Sequence, residues 1–473
     1  MRLRVDRVEL RAAPCSARTP FRFGVVSVAR ATCVVARVGV ELEDGRRGLG
    51  HAADLCVPRW FRKDVQRSPE EDVRALLSSA AAARSAWLAQ GANEASLFAH
   101  WHAVYAERVD ALPFEHPERL ERGFGVSLIE RAAMDACCRA AETSFHAALR
   151  EDLFALELGR LHPDLRGWSA ARSLPAEPAA SVELRHTVGL LDPLRADELE
   201  ASARVGDGEP EALDEYVRAH GLSCFKLKLG GEPEVDRARL CAVGEVLAGA
   251  SDARPRLSLD ANEQYADLGS LARMLDAVDA HVDGRRLLEG LLWIEQPLPR
   301  ERCFEAGGLA GLDALTQRAP LLLDEADTGL GAFPRARELG WEGVSVKNCK
   351  GVFRALANRA WCERLGGFQS AEDLTNLPAV ALQQDLATVA AFGFPHVERN
   401  GHHYFRGLEH LPGPERERAL ERAPALYEPA PGGARLRVRR GLLALSDVNG
   451  VGYGGADCVA FEEREPVDAA TTP

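Results

Sequence analysis

CFKLKLGG (residues 224–231), LSLDAN (257–262), LLWIEQP (291–297), LLLDEA (321–326) and VSVKNC (344–349) decide how this chain folds. Each ends an apolar run with a charged side chain: in order a Lys pair (Lys226 and Lys228), Asp260, Glu295, Asp324 and Lys347. Taken as parallel strands of a closed barrel, all five charged ends open onto one mouth, where barrel proteins gather their working groups. The rhythm of strand, loop and helix continues on both sides. Strand starts are expected near Val182, Cys224, Leu257, Leu291, Leu321, Val344, Phe368 and His396, with crossover helices such as 234–247 and 268–278 between them. Eight strands within residues 182–412 fit the size of such a barrel.

Upstream, residues 1–60 read as a β-meander, with ATCVVARVGVEL (31–42) closed by the turn Glu43-Asp44-Gly45. From Pro69 the pattern turns helical, with Ser68 as the cap, and VSLIERAAMDACCRA (126–140) has the small and apolar residues of a buried helix. Residues 1–172 are therefore expected to form an α+β unit, 182–412 the barrel, and 413–473 a segment that packs back on the first unit. Within that segment, residues 436–445 followed by Asn449-Gly450 read as a hairpin.

Acidic residues outnumber basic ones, 71 to 58, for a formal charge of −13. That balance argues against nucleic acid or an acidic membrane as partner. Charged residues interrupt every apolar run before it reaches membrane-spanning length. The N-terminus, MRLRVDRVELRAAP, is strand-like and lacks the apolar stretch of a signal peptide. Eleven cysteines, mostly inside apolar runs and without CxxC spacing, read as reduced buried thiols and a cytoplasmic location.

Asp260, Glu295 and Asp324 are spaced by 35 and then 29 residues, about one strand-helix unit each time. Three carboxylates drawn to one place repel unless a cation lies among them, and an all-oxygen set suits a hard divalent ion such as Mg2+. Lys226 and Lys228, two apart on a strand, share a face; Lys347 reaches the same opening from the far side. A partly desolvated lysine beside another cation has a lowered pKa and can act as a base. The alternative for the Lys226-x-Lys228 pair is an outward, solvated strand face, which the interleaved Phe225, Leu227 and Leu229 weaken. Together the groups suit removal of the proton next to a substrate carboxylate, with the metal stabilising the enediolate.

These residues resemble the enolase superfamily, specifically its muconate-lactonizing subgroup within the mandelate racemase/muconate lactonizing family. The resemblance rests on the KxK strand, DxN at Asp260 and Asn262, EQP at 295–297, DE at Asp324 and Glu325, and the Lys347 strand, with RGLGHAA and LIERAAMDA in the N-terminal unit. It implies a (β/α)7β TIM-like barrel with an N-terminal α+β capping domain. It also implies Lys228 and Lys347 as the acid/base pair, Lys226 as a residue polarising Lys228, and Asp260, Glu295 and Asp324 as Mg2+ ligands. The substrate is expected to be a small-molecule carboxylate, the outcome a racemisation or epimerisation, a cycloisomerisation or a syn-elimination, and the assembly a homo-oligomer. Asn262 and Glu398 are expected to meet substrate. The capping loops carrying Phe21, Arg22 and Phe23, and Arg59, Trp60 and Phe61, are expected to cover the mouth.

The chain departs from the subgroup at Lys350-Gly351-Val352, where a double glycine is usual, and at HVERNGHHYF, where dipeptide epimerases carry DxD. Glu372, Asp373, His402 and His403 remain between site lining and loop roles. An acid-sugar dehydratase would need His402 or His403 exposed to the metal; a non-catalytic binding barrel would have lost ligands or bases. Gly450-x-Gly452-x-Gly454-Gly455 lacks the strand-helix unit of a dinucleotide loop, and His100-x-His102 reads as an exposed helix pair.

Overall fold

The computed structural model describes residues 1–24, 26–251, 254–431, 433–455 and 458–467. The first three strands, β1 (Leu3–Phe23), β2 (Val26–Leu42) and β3 (Arg47–Cys56), form an antiparallel sheet. The turn expected at 43–45 joins β2 to β3, with Gly45 at φ 86° where a side chain would be strained. Three helices follow: α1 (Pro69–Gly91), α2 (Leu97–Tyr105) and α3 (Arg119–Ala140). Ser68 and Glu71 close a reciprocal capping box at the start of α1. α3 lies so close to β3 that a Cβ on Gly50 would sit 2.1 Å from the Ala136 backbone nitrogen. Bare glycine backbone therefore sets the distance between helix and sheet. The far side of α3 meets the barrel, where Ser127 donates to the Cys349 carbonyl at 2.7 Å.

The eight expected parallel strands are present: β4 (Ser181–Val188), β5 (Cys224–Lys228), β6 (Arg256–Asp260), β7 (Leu291–Glu295), β8 (Leu321–Leu323), β9 (Gly343–Val346), β10 (Phe368–Ala371) and β11 (His396–Arg399). Each pairs with the next, and β11 pairs with β4 to close the cylinder. Every residue of β5 is buried, as a strand lined inside by polar groups and outside by helices must be. Register places Lys228, Asp260 and Glu295 side by side at one end.

The C-terminal segment differs from its reading. The hairpin is β12 (Tyr427–Ala430) with β13 (Gly433–Leu436), earlier than expected. The next strand, β14 (Leu442–Ala444), joins the barrel instead, pairing antiparallel with β4. The cause lies in β4, which starts at Ser181 but pairs with β5 only from Arg185 onward, leaving backbone groups that need partners. A final strand, β15 (Glu465–Pro466), pairs with β1 of the N-terminal sheet. None of the eleven cysteines forms a disulfide. Among the described residues no helix is long and apolar enough to cross a membrane.

Candidate active site and metal centre

The strand ends converge as the sequence suggested. Lys226 is fully buried at the centre, with its ammonium 3.0 Å from Asp260, 2.7 Å from Glu295, 2.8 Å from Glu372 and 2.9 Å from Glu398. Lys228 is 2.5 Å from Asp260 Oδ2. Across the mouth, Lys347 is 2.9 Å from Asp324 Oδ2 and Lys350 is 3.1 Å from Asp324 Oδ1. Arg185 of β4, also fully buried, pairs with Glu372 and stacks over Trp293 at 4.6 Å. Five cations thus meet five carboxylates in a dry interior, where each charge depends on its partners.

The electrostatics correct one expectation. Burial disfavours the charged form of Lys226 and Lys347, but carboxylates win: Asp260, Glu295, Glu372 and Glu398 hold Lys226 well above its ordinary pKa, and Asp324 raises Lys347. The pull of Lys226 does lower Lys347, but the anions packed between them outweigh it. On the acidic side, burial raises Asp260 and Asp324, yet Lys226 and Lys228 hold the first below the usual carboxylate range, and Lys347 and Lys350 hold the second below it. Glu295 goes the other way, pushed well up by burial and by the charges of Asp260 and Glu372.

Asp260, Glu295 and Asp324 fit a hard divalent cation. They offer oxygen donors from three adjacent strands, and the buried Glu295 Oε2 and Asp324 Oδ2 accept no well-directed hydrogen bond. The crowding that raises Glu295 is what a bound cation relieves. Gln296 braces Asp324, its Oε1 accepting from the Asp324 and Ala326 amides at 2.9 and 3.2 Å.

Above these groups lies a narrow cavity, lined by Lys228 and Lys347 from the barrel and by Phe21, Phe23 and Trp60 from the N-terminal unit. Asn262, Asp373 and Asn400 complete its polar wall. The Trp60 ring covers Lys347 at 4.8 Å. Its loop is clamped by Arg300, which donates to the Trp60 and Phe61 carbonyls at 2.9 and 3.0 Å. Asn262 sits at φ 42°, a left-handed conformation Asn tolerates, and its side chain donates to Glu325 at 3.0 Å. Arg22 and Arg59 lie outside the cavity lining, so the cationic part of the expected cover is not delivered there; Phe61 is buried against Trp60 and Phe124.

Glu398 and Glu372 lie beneath the cavity, bound to Lys226, rather than on its wall. Thr187 holds the other Glu398 oxygen at 2.8 Å. His402 and His403 do not line the mouth; they cluster outside the barrel with His186. His100 is buried, with Nε2 3.3 Å from the Leu3 carbonyl, rather than exposed. Gly452, at φ 96°, packs against Asp135 and Arg139 of α3, a close approach that only glycine permits. The sequence reading missed Arg185, Gln296, Arg300 and Lys350. Two of them gave a signal without a role: Gln296 as the middle of EQP, and Lys350 as the residue standing where a double glycine is usual.

Residues 209–453, just over half of the chain, match the family model described as enolase C-terminal domain-like. The chain belongs to the enolase superfamily. Within it the match is to the mandelate racemase/muconate lactonizing family, whose members are enzymes. Comparison with curated proteins gives no match. Among solved structures, the chain is similar to a dipeptide epimerase from Enterococcus faecalis crystallised with Mg and L-Leu-L-Tyr (15% identity, 95% of this chain and 99% of that one, TM-score 0.60). It is likewise similar to 2-chloromuconate cycloisomerase from Rhodococcus opacus (16%, 98% and 99%, 0.60). An enolase from Bradyrhizobium complexed with magnesium and mandelic acid gives 16% identity over 96% of each chain and a TM-score of 0.59. At these identities the likeness extends to the fold. In this chain four carboxylates cage Lys226, and a second lysine, Lys350, meets Asp324.

Proposed function

We propose that the protein removes the proton alpha to the carboxylate of a small-molecule substrate in an Mg2+-dependent reaction, with Lys228 and Lys347 as the acid/base pair. The observation that carries this reading is that both lysines line one cavity, each paired with a different carboxylate of the Asp260, Glu295 and Asp324 set. Asp260, Glu295 and Asp324 would hold the Mg2+, which would polarise the substrate carboxylate and add positive charge beside Lys228 and Lys347.

Under that added charge a lysine at the cavity wall gives up its proton most readily, and Lys228 and Lys347 are the ones that face the cavity. One takes the substrate proton; the other returns a proton to the opposite face, or steadies charge on a departing group. Lys226, caged by four carboxylates, stays charged and keeps Asp260 and Glu295 in position. Phe21, Phe23 and Trp60 exclude water, which strengthens each charge interaction beneath them. Asn262 and Asn400 offer hydrogen bonds to substrate polar groups.

The test is exchange of the substrate alpha proton with solvent deuterium, followed by NMR across a panel of carboxylic acids in the presence of Mg2+. Lys228→Ala and Lys347→Ala should each slow exchange by roughly 10²–10⁴-fold, the usual contribution of a positioned acid or base. His402→Ala should leave it unchanged. A carboxylate that binds at the mouth but never exchanges would refute the reading.

A further inference from the structure

Three imidazoles meet on the outer face of β4. Arg185 and Thr187 send their side chains into the barrel, so His186 between them points outward, toward Tyr216 of the helix Leu213–His220. His402 and His403 arrive from the short helix Gly401–Tyr404 that follows β11. His186 Nδ1 is 3.1 Å from His402 Nε2, and His402 Nδ1 is 3.3 Å from His403 Nδ1. One nitrogen from each ring lies within 4.8 Å of the other two, close enough to share one ion. His186 and His403 are buried, and His403 Nε2 has no hydrogen-bond partner. The nearest acid, Asp192, lies 3.9 Å from that nitrogen, too far for a hydrogen bond.

We propose that His186, His402 and His403 bind a borderline divalent transition-metal ion of the Zn2+ class, at a site separate from the oxygen ligands in the barrel mouth. Ligands about 2.0–2.1 Å from a tetrahedral Zn2+ stand roughly 3.4 Å apart, and one nitrogen from each ring already lies within 4.8 Å of the other two, so a modest closure of the cluster brings all three to one ion. Burial lowers all three imidazoles from the ordinary His pKa and so favours the neutral form that ligates metal. Hydrogen bonding alone leaves His403 Nε2 unsatisfied, whereas a metal gives each ring's lone pair a partner. A cavity of about 210 Å3, lined in part by His186, His403, Asp192 and Tyr404, leaves room for a water as fourth ligand. The two sites sort their ions by donor chemistry, nitrogen against oxygen. The ion would tie β4 to the helix carrying Tyr404, whose ring stacks on Phe21 of the mouth at 4.1 Å. The exterior site would thereby stiffen the cover of the active site.

The test uses the intact protein, stripped of metal, saturated with Mg2+ and titrated with Co2+. Wild type should take up one equivalent with the intense visible bands of four-coordinate cobalt, and Zn2+ should displace it. His402→Gln and His403→Gln should weaken uptake by at least about 10-fold, while Asp260→Asn keeps it. Zn2+ should also raise the wild-type melting temperature in excess Mg2+, a readout that needs no variant. Absence of the bands or of the melting shift overturns the site. So do bands that survive both His replacements, which would place the ion on thiols or carboxylates, and bands abolished by Asp260→Asn.

Discussion

At the scale of single residues, Lys226 has the least freedom in the molecule. Its ammonium is the shared partner of Asp260, Glu295, Glu372 and Glu398, all without solvent. Removing one member of a buried ionic cluster leaves the others uncompensated and costs about 3–5 kcal/mol. Lys226→Met should therefore lower unfolding stability by that order in denaturant titration, even in buffer without substrate; unchanged stability would show that the cage is held by something else. Glu372 is the acidic counterpart. Burial raises its carboxyl, but Arg185 and Lys226 bring it down to about 2. Its contribution is present above the ordinary Glu pKa and fades as pH falls from roughly 4.3 toward 2. These partners explain why part of the site escaped the sequence. A charged residue that closes an apolar run, as Asp260 and Glu295 do, announces a strand end. Arg185 in SVELRHTV alternates with apolar neighbours and looks like a solvated strand face, because its carboxylate partner lies 187 residues away.

At the scale of elements, two contacts between the N-terminal unit and the barrel set how the mouth closes. Arg300 clamps the loop carrying Trp60, and Trp60 covers Lys347. Arg300→Ala should raise KM by about 10-fold and alter kcat less, since the clamp positions the cover rather than the reacting groups. An effect on kcat alone would contradict that role. The second contact is Glu130 of α3, which accepts from the Phe353 amide at 2.7 Å at the start of the helix Val352–Leu365. Burial pushes Glu130 up to about 8. A carboxyl raised in the folded state stabilises fully below its unfolded pKa and loses that contribution as pH rises through the folded value. Stability should fall between about pH 4.5 and 8, by roughly 2 kcal/mol or more relative to Glu130→Gln. Parallel pH profiles of the two proteins would contradict it. Gly351 belongs to this junction, since a Cβ there would lie 2.8 Å from Glu130 Oε2. Its φ of 105° adds a second reason for glycine at this place.

At the scale of the whole molecule, the barrel was legible because its eight strands recur at a spacing that only crossover helices satisfy. The C-terminal segment was not, because β14 pairs with β4 about 260 residues earlier and its local pattern resembles a hairpin. The lysines at the mouth were legible but their raised pKa values were not, since strand spacing fixes which side chains meet and not which charges prevail. The central claim is that Asp260, Glu295 and Asp324 gather one divalent ion between Lys228 and Lys347. Anomalous diffraction from crystals of the protein grown with Mn2+ in place of Mg2+ tests it most directly. The account predicts one strong peak bounded by the three carboxylates, lost in Glu295→Gln; a well-ordered mouth with no peak there, or one unaffected by that substitution, would contradict it.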